Sequence, residues 1–112
     1  MESGSKIVER IFSAAVQAAK PDEAVRRECR EIRGLFRKKG CGRLLAVGFG
    51  KASVPMALAL EEELGDLLES GIIITKYGHV PPRRPTKFQV IEAGHPTPDE
   101  NGVRGAEEVI RL

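Results

Sequence analysis

Three short segments of this 112-residue chain combine glycine with a side chain able to carry positive charge. They are Gly48-Phe49-Gly50-Lys51-Ala52-Ser53, Thr75-Lys76-Tyr77-Gly78-His79, and Glu92-Ala93-Gly94-His95-Pro96-Thr97-Pro98-Asp99-Glu100-Asn101. Glycine lets a backbone turn sharply and approach a ligand closely. Where a strand gives way to a helix, unpaired N–H groups attract an anion, and Lys51 adds a full charge there. Lys76 and His79 are suited to holding an anion or moving a proton. His95 is suited to acting as acid, base or anion donor. Each segment also has a plainer reading. The first is a tight turn with a solvated lysine, the second a polar loop, the third a helix entry capped by Asp99 and Glu100. Taken together, the three describe a pocket for a small anionic ligand.

The spacing rules out some familiar versions of that chemistry. A Walker A loop has four residues between its first glycine and Gly-Lys, followed by Ser or Thr, whereas Ala52 follows Lys51. A dinucleotide fingerprint is poorly matched. Ser53 occupies the third glycine position, and Lys76 stands where an NAD site wants an acid for the ribose. His79 and His95 lack a third ligand at metal spacing, so no metal site is assigned. Cys29 and Cys41 form no CxxC, and a reducing cytoplasm is the default expectation.

Composition narrows the class further. Hydrophobic residues at 41% and charged residues at 30% are a globular balance. Aromatics at 4%, with no Trp, argue against a base-stacking platform. Eighteen basic against sixteen acidic residues, a net charge of +2, is too balanced for a dedicated DNA-binding domain. No apolar run approaches the roughly 18 residues of a membrane span. The expected partner is therefore a small molecule, not a nucleic acid or a membrane.

The elements that must position these segments are legible from periodicity. Ile7, Ile11, Ala14/Ala15 and Ala18 recur at helical spacing, widened by Val8, Phe12 and Ala19, and predict a helix over 5–19 that Pro21 ends. Val25, Cys29, Ile32 and Phe36 predict a second helix over 22–38, stopped by Gly40 and Gly42. Its Arg-rich opposite face reads as solvated acid–base pairs. Leu44 to Val47 is apolar on both faces and predicts a buried parallel strand. A helical stripe through Met56, Leu60, Leu64 and Leu67/Leu68 follows, with Pro55 in its first turn and Gly71 closing the unit. Ile72 to Thr75 predicts a second buried strand, residues 78–87 a proline-rich loop, and Phe88 to Ala93 a third strand. Thr97-Pro98-Asp99-Glu100 fits a capping box for a last helix, with Asn101 as the alternative cap and Ala106, Val109 and Ile110 as its apolar face. A strand–helix–strand unit with buried strands implies a right-handed crossover. The expectation is an α/β fold with a short parallel sheet of about three strands, partly covered by the first two helices. The stripe of the last helix looks unfinished at Leu112, which suggests a fragment or a homo-oligomer that completes itself.

The three segments, in this order and spacing, resemble the N-terminal part of the type II glycerate kinases, the glycerate 2-kinase family with a MOFRL-type C-terminal domain. The resemblance runs from about Val8 to the chain end. It implies a Rossmann-like three-layer fold, and that residues 1–112 are the front portion of the first domain, without the second domain and the glycine- and serine-rich phosphate segment. It implies ATP and Mg2+ as cofactors, D-glycerate as substrate, and transfer of the γ-phosphate to its 2-hydroxyl. Some members of the family carry the name hydroxypyruvate reductase. By the same resemblance, Lys51 is the essential lysine, binding the glycerate carboxylate or stabilising the transferred phosphoryl group. Gly48 and Gly50 shape its turn, and Lys76, His79 and His95 fall at substrate-side motif positions. The expectation is a kinase portion inactive alone. The alternatives are a non-catalytic anion- or nucleotide-binding module and an NAD(P)-dependent hydroxypyruvate reductase.

Overall fold

A computed structural model of the chain describes residues 1–112. Its elements are α1 (Gly4–Ala18), α2 (Pro21–Lys38), β1 (Leu44–Phe49), α3 (Ser53–Leu64), β2 (Leu68–Lys76), β3 (Phe88–Ala93) and α4 (Glu100–Arg111). The three strands form one parallel sheet in the order β1-β2-β3. Successive residues of a strand face opposite sides. Ile73 packs with Val54 and Ala57 of α3, whereas Ile74 meets Gly105 of α4. The two helices therefore cover opposite faces, and the fold is a three-layer α/β/α arrangement.

The core lies between β2 and α3, where Val54, Ala57, Leu68, Ile73 and Phe88 are buried together. Fully burying a side chain such as Ile73 contributes about 1.5–3 kcal/mol. Gly71, which marks the end of a unit in the sequence pattern, instead sits inside β2. A Cβ there would lie 2.4 Å from the Phe88 ring and 2.6 Å from the Ala46 carbonyl oxygen. Only glycine leaves room for that ring.

The helical stripe does not continue to Leu68 as expected. Helix α3 ends at Leu64, and Gly65 follows as its C-cap. The Lys87 ammonium donates to the carbonyl oxygens of Gly65 and Leu68, so the turn between helix and strand is satisfied by a side chain more than twenty residues away in sequence from Gly65. Leu68 then pairs with Leu44 and opens the strand. The connection from β2 back to the start of β3 has no helix and crosses α3 instead. The Glu61 carboxylate accepts from the Thr86 and Lys87 backbone N–H groups at 2.9 and 3.0 Å, and from the Thr86 hydroxyl.

Two expectations about covering fail. Strand β1 is parallel but not buried. It is an edge strand, and α4 lies over β2 and β3, so Val47 and Phe49 are 46% and 80% exposed. Helix α1 has the predicted stripe but covers nothing: Ile7, Val8, Ile11, Phe12 and Val16 are all exposed, and no residue of α1 is buried. Periodicity specifies a face and not its partner. The whole chain is correspondingly open. Its radius of gyration is 17.2 Å, against about 13 Å for a compact chain of this length. Its accessible surface is 7748 Å2, against about 6,100 Å2 for a compact monomer of this mass.

Helix α4 corrects a third expectation. Asp99 is its N-cap, accepting from the Gly102 N–H at 3.1 Å, in place of a capping box begun by Thr97. The face toward the sheet is made by glycine. Gly105 is buried so closely on Ile74 that a Cβ would come within 2.8 Å of its Cδ1, and Gly102 lies over Ala93. Ile110, predicted to face inward, is 84% exposed. Small residues here let helix and sheet approach, offsetting the cost of glycine in a helix, about 1 kcal/mol each.

Candidate functional site

Parallel strands run their carboxyl ends to one edge of the sheet, and open α/β sheets bind ligands outside that edge. All three segments singled out from the sequence leave strands there. The first begins as strand: Gly48 and Phe49 belong to β1. Gly48 therefore does not shape the turn. Its missing Cβ accommodates Ile73, whose Cδ1 would sit 2.7 Å away. The turn is made by Gly50, at φ +106, where an L side chain would be strained. Its carbonyl oxygen accepts from the Ser53 hydroxyl at 2.6 Å and from the Thr75 hydroxyl at 3.1 Å, and its N–H donates to the Ile74 carbonyl oxygen at 3.0 Å. Both hydroxyl-bearing residues are buried. Lys51 follows this fixed corner and precedes the first turn of α3.

The second segment folds as a turn beyond β2. The His79 N–H donates to the Lys76 carbonyl oxygen at 3.1 Å, with Gly78 at φ +78 between them. The Gly78 N–H donates to the Glu92 carboxylate at 3.0 Å. The third segment leaves β3 through Gly94, where a Cβ would lie 2.5 Å from the Thr97 carbonyl oxygen. His95 is carried on that tight loop and is exposed.

Lys51, Lys76, His79 and His95 thus share one edge. None of their side chains takes part in an ion pair or a hydrogen bond with the protein. Two of the carboxylates near them, those of Glu92 and Asp99, are engaged by neutral donors. Glu92 holds Gly78. Asp99 accepts from the Tyr77 phenol at 2.7 Å as well as capping α4. The Tyr77 hydroxyl, followed by the Gly94 backbone, holds the Asp99 carboxyl below the usual carboxylate range, and burial opposes them less strongly. The same contact pushes the Tyr77 phenol up. Glu92, Asp99 and Glu100 keep their negative charge beside this edge, but none of them pairs with the four side chains, which stay open to an anionic ligand.

A metal fits less well. No group of three or more His, Cys, Asp or Glu side chains is arranged to hold one. In the sequence Thr75 and Tyr77 are only members of a motif, and Ser53 and Asn101 stand out only as a departure from a glycine fingerprint and as an alternative helix cap. The bonds of Thr75, Tyr77 and Asn101 span 22 to 25 residues and leave no local pattern, whereas that of Ser53 reaches back only to Gly50.

An apolar groove of about 420 Å3 lies elsewhere, between α2, α3 and the open edge of β1, lined by Val25, Ile32, Met56 and Leu60 among others. It contains none of the four cationic side chains.

Comparison with known proteins agrees with this fold. Residues 7–112 match the family described as a domain of unknown function, DUF4147. The D-glycerate 2-kinase of Thermotoga maritima is 36% identical over 112 residues, covering 99% of this chain and 25% of that protein. A protein of Agrobacterium vitis named as a candidate hydroxypyruvate reductase is 38% identical over 107 residues, covering 96% of this chain and 22% of its own length. The crystal structure of a Thermotoga maritima glycerate kinase superposes with a TM-score of 0.73 at 32% identity, over 96% of this chain and 24% of that one. The chain spans about a quarter of the length of these relatives. On the match over residues 7–112, the chain belongs to the DUF4147 family, alongside glycerate 2-kinases.

Proposed function

We propose that this chain is the substrate-side portion of an ATP-dependent glycerate 2-kinase and that its strand-end loops bind the anionic groups of D-glycerate and its phosphorylated product. The observation that carries the reading is the set of four unpartnered cationic or ionisable side chains, Lys51, Lys76, His79 and His95, at one sheet edge in a relative of glycerate 2-kinases. Phosphoryl transfer asks the protein mainly for positioning and positive charge. Lys51, on the fixed corner at Gly50, is the group assigned to the carboxylate or to the transferring phosphoryl oxygens. Lys76, His79 and His95 are assigned to holding the rest of the substrate.

ATP and Mg2+ are cofactors of the proposed reaction, but these residues do not fit the metal. Glu92 and Asp99 are spent on Gly78, Tyr77 and Gly102, and no carboxylate cluster remains. Metal and nucleotide are therefore assigned to parts of the enzyme beyond these residues, and this chain alone is expected to be inactive. A hydroxypyruvate reductase is the second reading, favoured only by the names of two relatives, both of Agrobacterium vitis. Lys76 at the end of β2 disfavours it, because a ribose calls for an acid there. A cytoplasmic location is proposed with the kinase reading. No helix is long and apolar enough to cross a membrane.

The test is a chimera in which this chain replaces the matching quarter of the Thermotoga maritima D-glycerate 2-kinase. A coupled assay with ATP, Mg2+ and D-glycerate is run on the chimera and on the chain alone. The expected result is turnover by the chimera only, reduced about 100-fold or more by Lys51→Ala, the scale of losing one charge-stabilising donor. A folded chimera without turnover overturns the kinase reading. Turnover by the chain alone, abolished by Lys51→Ala, overturns the assignment of the remaining machinery elsewhere.

A further inference from the structure

The loops carrying His79 and His95 have no regular backbone ladder joining them beyond the last pair of β2 and β3, Lys76 with Ala93. One backbone bond extends it, from the Tyr77 N–H to the Ala93 carbonyl oxygen at 3.3 Å. Past that point the connection is made by side chains. The Tyr77 hydroxyl donates to the Asp99 carboxylate at 2.7 Å and accepts from the Asn101 amide at 2.8 Å. The Asn101 carbonyl oxygen in turn accepts from Arg104 at 2.8 Å, which fixes which end of the amide faces Tyr77. Asp99 keeps its other oxygen on the Gly102 N–H. The phenol is thus clamped between an acceptor and a donor on the entry to α4.

Core packing does not account for this tyrosine. Its side chain is half exposed, at 47%, and lies outside the buried cluster. Its polar end instead spans from the β2 exit to the α4 entry, and the two loops it joins carry His79 and His95. Resting on the anion-site reading above, we propose that Tyr77 is a positioning residue: its phenol, clamped by Asp99 and Asn101, sets the loop of His79 against the loop of His95 so that both meet one anion. Thr75 ties the end of β2 to the Lys51 corner through Gly50, and Tyr77 ties the same strand end to the third loop. The strand end therefore registers all three loops. A free anion gains from this because loops fixed beforehand lose less freedom on binding.

Two substitutions separate the clamp from its surroundings. Tyr77→Phe keeps the ring and removes only the hydroxyl. Asp99→Ser keeps a good helix N-cap, but its shorter side chain cannot span to the phenol. Amide hydrogen exchange on the free chain reads the clamp itself. An inorganic phosphate titration, followed by the imidazole resonances of His79 and His95, reads its consequence.

Both variants are expected to lose protection together at residues 77–79 and 94–99, with 50–53 unchanged, and to bind phosphate about tenfold more weakly. The double variant is expected to match Tyr77→Phe, because the bond that Asp99→Ser removes is already lost with the hydroxyl. Unchanged exchange in Tyr77→Phe overturns the clamp. Loosened loops with phosphate affinity equal to wild type overturn the positioning role. Loosened loops in a chain whose wild type binds no phosphate support the clamp and overturn the anion-site reading.

Discussion

The α2–α3 face and the carboxyl edge of the sheet are both rich in charge, and they use it in opposite ways. Where α2 meets α3, Arg26 and Arg33 are consumed, while Arg27, Arg30 and Arg37 of the same helix stay unpaired. Arg26 reaches Asp22, Glu23 and Glu62, and Arg33 grips Asp66 with both ends of its guanidinium at 2.6 and 2.8 Å. At the sheet edge Glu92 and Asp99 keep their charge but turn to a phenol and to backbone N–H groups, and the cations are left without partners. Charge satisfied within the chain holds elements together. Charge left unsatisfied on a rigid corner is available to a ligand. The difference marks which cations hold elements together and which stay open, although both regions look simply basic in the sequence.

The substitution with the largest expected effect removes the support of both regions at once. Gly71→Ala places a methyl against the Phe88 ring and the Ala46 carbonyl oxygen, and a backbone atom cannot swing aside. The expected cost is about 3 kcal/mol, at the upper end for overpacking, read as a large drop in thermal midpoint. A midpoint within a degree or two of wild type contradicts the packing described for β2.

A smaller effect sharpens the contrast from the helix side. Arg33 holds the Asp66 carboxyl down to about 2, from an ordinary 3.8. A carboxyl whose folded value is depressed contributes stability above its unfolded value and loses it as pH falls through the folded one. The Arg33–Asp66 contribution is therefore present above pH 4 and fades between about pH 4 and pH 2. Thermal melts across that window are expected to fall more steeply for wild type than for Arg33→Gln. Because Asp66 is exposed, salt is expected to shrink the difference. Parallel curves contradict the ion pair as a working contact.

Much of this contrast was legible before the structure. The parallel β1-α3-β2 unit, the third strand and the gathering of Lys51, Lys76, His79 and His95 at one edge follow from β-branched runs and glycine breaks. What stayed hidden was long-range or steric. Gly48, Gly71 and Gly105 look like turn or breaker residues, but each is glycine because a side chain from another element packs on it. Lys87 and Glu61 look like surface charges, yet they seat the ends of α3 and β3. The stripe of α1 promised a partner, and no other element of this chain buries it. Periodicity records that a face is apolar. It carries no record of which surface meets that face, or of a hydrogen bond made 25 residues away.

The most direct test of the central claim is an amide-resolved titration of D-glycerate into the wild-type chain and Lys51→Ala. Shifts in wild type are expected to gather at 50–53, 76–79 and 94–96 together, and Lys51→Ala to bind at least about tenfold more weakly, roughly 1.4 kcal/mol. Equal binding by the two chains, or shifts gathered in the apolar groove beside β1, would contradict it.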